Sequence, residues 1–178
     1  MKRALLSFTV ALSLFSSACG YHVAGRDTAL PKTIHVIAVP AIENKTSSYR
    51  IEQRLTAATI HEFLAKTNYK IVSNPASGDA VLTGKVISVE AVPLTFQSNT
   101  STSTITQATT MLVTVKCEVT LTQSDTLKVL YHNDNFLFRN EYELSTDVRS
   151  FFEEQDPALD RLAKDFAQKL VAAITENY

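Results

Sequence analysis

The sequence predicts an α+β two-layer sandwich, with two helices packed on one face of a mostly antiparallel four-stranded sheet. Three observations lead there. Met111, Val113, Val115, Cys117, Val119 and Leu121 alternate with Leu112, Thr114, Lys116, Glu118, Thr120 and Thr122, the period-two pattern of a strand with one apolar and one mostly polar face. Leu159, Leu162, Ala163, Phe166, Leu170, Val171 and Ile174 recur at helical spacing, as do Ile51, Leu55, Thr59 and Phe63, so two helices carry apolar stripes that must rest on something. The order strand, helix, three or four strands, helix then lays both stripes on the same sheet.

Ile34–Val39 is almost continuously apolar, the composition of a strand covered on both faces or lying in a sheet centre, and Pro40 ends it. Asn44–Ser48 is turn chemistry, with Ser47 or Ser48 placed to cap a helix over Tyr49–Lys66 that stops at Asn68. Arg50, Arg54 and His61 fall on its wet side. Tyr69–Val72 is a short extended piece and Asn74–Asp79 a turn cluster. Ala80–Val92 reads as a long strand of mixed alternation, in which Gly84 marks a bulge or a close backbone approach. Gln97–Thr110, rich in Ser and Thr, reads as a long hairpin tip or loop. Leu127–Tyr131 and Asn135–Leu144 form one interrupted strand or two, with Phe136, Phe138, Tyr142 and Leu144 inward and Leu137, Arg139, Glu141 and Glu143 outward. Asp156-Pro157 opens the last helix as cap and first-turn residue. Phe151 and Phe152 just before it tuck under the sheet, and Asp160 to Lys164 and Asp165 to Lys169 are spaced as supporting pairs.

The first eighteen residues read as an address. Lys2 and Arg3 precede an apolar run of about a dozen residues, broken only by Ser and Thr and too short to span a membrane, and Ser16-Ser17-Ala18 sits directly against Cys19, as in a secretory signal with a small-residue exit. The arrangement resembles the bacterial lipobox, in which cleavage before an acylated cysteine leaves a lipid anchor, although Ser16 stands where Leu is usual. Residues 1–18 are thus expected to be a signal peptide, 19–32 a lipid-anchored extended arm and 33–178 a single domain. Gly20, in place of Asp, points to the outer membrane.

With 178 residues, 45% of them hydrophobic and 20% charged, the chain has the composition of an ordinary globular domain. Removing Lys2 and Arg3 leaves 15 basic against 18 acidic residues, a net charge of −3, so a nucleic-acid partner is not expected. With Cys19 acylated, Cys117 has no intramolecular partner and reads as a small buried hydrophobe. Four glycines leave no phosphate loop, the four histidines are scattered, and no nucleophile elbow or metal-ligand spacing occurs. The expectation is no catalytic residues, no metal and no cofactor beyond a covalent lipid on Cys19.

Cys19-Gly20-Tyr21, Leu30-Pro31 followed by Ile34–Asn44, Tyr49–Thr56 and Gly78-Asp79-Ala80-Val81-Leu82-Thr83-Gly84 occur in the order and spacing of one family. In these residues the chain resembles the LptE family of lipopolysaccharide-assembly lipoproteins. The resemblance implies a plug inside the LptD outer-membrane β-barrel, held on the periplasmic side by its lipid. The pair would help deliver lipopolysaccharide to the outer leaflet. It also implies basic residues that meet lipopolysaccharide near one end of the sheet; Lys85, Lys128 and Arg139 are the nearest candidates. The same strand-helix start and Asp-Ala-x-Leu-x-Gly run also resemble periplasmic lipoproteins that regulate cell-wall synthases or form part of a secretion pore, an alternative that a wall-enzyme partner would favour.

Overall fold

The computed structural model describes residues 30–98, 106–143 and 148–176. Its strands are β1 (Val36–Ala38), β2 (Glu43–Asn44), β3 (Lys70–Val72), β4 (Ala80–Ser98), β5 (Thr106–Gln123) and β6 (Val129–Glu143), and its helices are α1 (Ile51–Lys66) and α2 (Val148–Glu176). The sheet order is β3-β1-β4-β5-β6, with β2 also pairing with β4. The α+β class and the two helices are as expected, but the sheet is not a mostly antiparallel four-stranded one. It is six-stranded and mixed: β1 runs parallel to β3 and β4, β2 runs parallel to β4, and only the β4–β5 and β5–β6 pairs are antiparallel. The physical reason is connectivity. A helix lies between β1 and β3, and a helical crossover returns the chain in the same direction.

The step from β3 to β4 crosses over β1. Ala38 is fully buried, and a Cβ on Gly78 would stand 2.7 Å from the Ala38 Cβ and 2.8 Å from its backbone nitrogen. Only glycine lets the crossing chain approach so closely. Asp79 pins it there: its Oδ2 accepts from the backbone N–H groups of His35 and Val36, each at 2.8 Å, and its own N–H donates to the Val36 carbonyl at 2.8 Å. β1 is therefore covered on both faces, as its unbroken apolar composition predicts.

The mixed alternation of β4 has a single cause. Val86 lies opposite Cys117 and Ser88 opposite Lys116, which leaves Ile87 as an extra residue in the ladder. Ala80, Leu82 and Val86 are buried before the bulge, and Val89 packs on the same core after it. Ile87 itself is 40% exposed. Gly84 is the close approach the sequence suggests and not the bulge: a Cβ there would meet the Ile42 side chain at 3.1 Å.

α1 begins at Ile51 behind Arg50, which has φ 57°, and no side chain caps it. The serine cap is thus corrected. Asn44 holds the approach instead, with Oδ1 accepting from Thr46 N–H (2.9 Å) and Oγ1 (2.7 Å), and Nδ2 donating to the Ser48 carbonyl (2.8 Å) and Glu52 Oε2 (2.9 Å). All four of its hydrogen-bonding positions are used. The start of α2 is corrected as well: it runs from Val148 with Pro157 in its interior, so Asp156 is not its cap. Asp160, expected to pair within its own helix, forms an ion pair with Arg54 of α1.

The core lies between the helices and the inner sheet face. Phe166 of α2 meets Phe136 edge-on at 5.5 Å between ring centroids and Phe138 at 5.0 Å. Cys117 is buried among these residues, and burial pushes its thiol pKa up to about 12. The 1–18 signal, the 19–29 part of the arm, and the expected placements of Tyr142, Leu144, Phe151 and Phe152 lie outside the described residues. Of the 97–110 segment, Gln97-Ser98 and Thr106–Thr110 are paired strand, so the hairpin is longer than the alternation alone predicts.

Candidate functional site

With both helices on one side, the other face of β4, β5 and β6 is open. Its composition follows from strand parity. On β5 the odd positions 113 to 121 are buried and the even positions 112 to 122 are half-buried. Adding the cross-strand neighbours gives successive rows across the sheet: Thr83, Thr120 and His132; Lys85 and Glu118; Ser88, Lys116 and Leu137; Glu90, Thr114 and Arg139; Val92, Leu112 and Glu141.

Hydrogen bonds tie several rows together. Thr83 Oγ1 donates to the Thr120 carbonyl at 3.3 Å, and Thr120 Oγ1 lies 2.9 Å from His132 Nδ1. Lys85 Nζ donates to Glu118 Oε1 at 3.0 Å. The pair remains partly solvated, so it fixes side-chain positions more than it adds stability. The result is a surface of hydroxyls, charges of both signs and isolated apolar side chains, among them Ile87, Val92 and Leu137. It can meet another surface over a broad area, but its groups do not converge on one point as catalysis needs.

The three cations singled out in the sequence are spread along this sheet. Lys128 stands in the β5–β6 turn, its carbonyl accepting from Gln123 N–H at 2.9 Å. Lys85 lies at the level of Glu118 and Arg139 at the level of Thr114. Nine residues of β5 separate the two ends, roughly 30 Å of strand. Lys85 and Arg139 share the open face; Lys128 is at its far end. Lys116 lies between Lys85 and Arg139, and sequence reasoning did not single it out. The even-position parity of β5 was the signal that could have found it. Cys19 lies outside the described residues.

On the helix side, a cleft of about 90 Å³ is lined by Val89, Ala91, Val113, Leu159 and Leu162, with Ser48 and Asn140 at its polar margin. Sites for drug-sized ligands occupy about 300–1,000 Å³, so this gap between α2 and the sheet is a packing feature. Among the described residues, no group of His, Cys, Asp or Glu is arranged to hold a metal ion, and no helix is long and apolar enough to cross a membrane.

Comparisons with known proteins agree with one another. A family model described as LptE, lipopolysaccharide-assembly, matches residues 34–174. The fold is similar to that of a lipoprotein B from Nitrosomonas europaea, at 11% identity and a TM-score of 0.54, covering 88% of this chain and 90% of that one. It is also similar to the rare lipoprotein B of Shewanella oneidensis, at 12% identity and a TM-score of 0.50, covering 78% of this chain and 92% of that one. No curated protein matches the chain.

Proposed function

This chain belongs to the LptE lipopolysaccharide-assembly family, and from that membership we propose that it is an outer-membrane lipoprotein that plugs an LptD-like β-barrel, supports its assembly and helps deliver lipopolysaccharide to the outer leaflet. It works without catalysis. A covalent lipid on Cys19 tethers it on the periplasmic side after residues 1–18 are removed, and domain 33–178 does the binding. One acyl chain holds a protein only marginally, whereas two or more anchor it stably.

The observation that supports this reading is the helix-free face of β4, β5 and β6. A plug must be rigid on the side that carries its own core and water-compatible on the side that meets the barrel. The interior of a large outer-membrane barrel is polar, and rows of Thr, Ser, Lys, Glu and Arg side chains suit it. Lys85 and Arg139, with Lys116 between them, are the cations on that face proposed to meet lipopolysaccharide phosphates; Lys128 would act separately, at the turn. Paired cations on phosphate give the stronger, charge-assisted hydrogen bonds.

Affinity capture of the mature protein from detergent-solubilised outer membranes tests the role. Recovery of a large β-barrel at one-to-one is expected. Recovery of wall-synthesis enzymes with no barrel would overturn it. Charge reversal of Lys85 and Lys116 together should weaken lipopolysaccharide binding by the isolated mature protein by about tenfold or more.

A further inference from the structure

On one side the sheet is edged by β3, three residues long, and by the part of β4 beyond its pairing with β2; on the other side the edge is β6, fifteen residues long, and among the described residues β5 is its only partner. A long unpaired edge is a template for another strand, and proteins blunt such edges with short strands or bulges. Half of β6 is blunted in this way. Cys117 pairs with Phe136 and Val119 with Asn133, leaving Asp134 and Asn135 as a bulge, and the Asn135 N–H donates to Asn133 Oδ1 at 2.9 Å instead of pointing to a neighbour. Past the bulge, positions 136 to 143 pair with β5 without a register shift.

That regular half is complementary to itself. Arg139 and Glu141 stand exposed on the open face, opposite Thr114 and Leu112 of β5. Neither forms an ion pair among the described residues. β5 therefore supplies no counter-charge across their ladder pairs, and the free side of β6 is open to one. We propose that the free protein pairs with a second copy of itself through this edge, antiparallel, with a two-fold axis perpendicular to the sheet at Asn140. In that register Arg139 of each copy lies opposite Glu141 of the other, so both charges are matched twice, and residues of like facing meet as an antiparallel ladder requires. Registers centred on Arg139 or Glu141 set that charge against itself. The interface is isologous and about seven residues, or roughly 24 Å, long. It leaves the open face continuous across both copies and places the two α2 helices on the same side.

The proposal does not rest on the barrel reading, and its test uses the full chain in detergent without barrel or lipopolysaccharide. Sedimentation of the wild type over a concentration series should show a monomer–dimer equilibrium. Arg139→Glu alone and Glu141→Arg alone each set like charges opposite one another at both sites and should weaken the dimer by about tenfold or more. Mixing the two single variants should restore dimers, because each then faces its complement. Both substitutions are on exposed side chains, so loss of folding does not confuse the result. Asn140→Cys lies on the axis, where facing Cα atoms are within disulfide reach, and should give a covalent dimer on mild oxidation, whereas Leu137→Cys should not. A wild type that stays monomeric to roughly 100 µM, well beyond a micromolar dissociation constant, would overturn the proposal. So would a mixture no more associated than its components, or cross-linking at Leu137 without cross-linking at Asn140.

Discussion

At the scale of single residues, the crossing over β1 is where the fold tolerates least. Gly78→Ala would set a methyl against the Ala38 Cβ and backbone, and overpacking of this kind costs about 1–3 kcal/mol; a lowered urea midpoint with unchanged slope would record it. The Asp79 carboxyl is held below the usual carboxylate range, first by the His35 N–H, then by the Val36 N–H, with a further contribution from the nearby His35 charge. Its folded value lies below its unfolded one, so its contribution is fully present above the unfolded value of 3.8 and is lost as pH falls through the folded value. Asp79→Asn should therefore be less stable at pH 7, and the difference from wild type should shrink toward pH 2 in thermal melts. Asn44→Ala, which strands the donors and acceptors grouped around that side chain, should cost about 1–3 kcal/mol. Cys117 should resist thiol reagents until the protein unfolds, since its buried thiol stays protonated at neutral pH.

Among the elements, β4 and α2 show what the sequence could and could not convey. The period of β5 was legible because one face is buried along its whole length. In β4 the parity changes at Ile87, which looks like noise until the register is known. Deleting Ile87 leaves every observed pair in place, so the variant should fold with a melting temperature within a few degrees of wild type. Deleting Glu90 would turn the following positions to the wrong face and should lower the melting temperature markedly. The strands β2 and β3, two and three residues long, are too short to show a period, which is why the parallel half of the sheet was not foreseen. Asp156-Pro157 is a sound helix-start signal that α2 overrides, running through a proline that lacks the donor for its i−4 carbonyl. Phe166→Ala, which removes the ring shared by Phe136 and Phe138, should cost about 3–5 kcal/mol and loosen α2 before the hairpin.

For the molecule as a whole, the family was legible in short motifs whose physical reasons the fold supplies. In Gly78-Asp79-Ala80-Val81-Leu82-Thr83-Gly84, the first glycine permits the crossing, the aspartate pins it, Leu82 enters the core and Gly84 admits Ile42. The open face was legible only in part, because the sequence lists its cations but not their spacing along the strands. Mass spectrometry of the mature protein should find acyl chains on residue 19 and none of the first eighteen residues; an unmodified thiol there would overturn the anchoring.

The hairpin of β4 and β5 continues past the end of β6, where Phe96 to Ser98 pair only with Thr106 to Ala108 among the described residues. A ribbon of two strands is marginal by itself in water, so this end should open far more often than the domain unfolds. Backbone amide hydrogens at Gln97 and Gln107 should exchange with solvent long before those near Val86 and Cys117. Whatever eventually grips that tip would then slow the exchange there first.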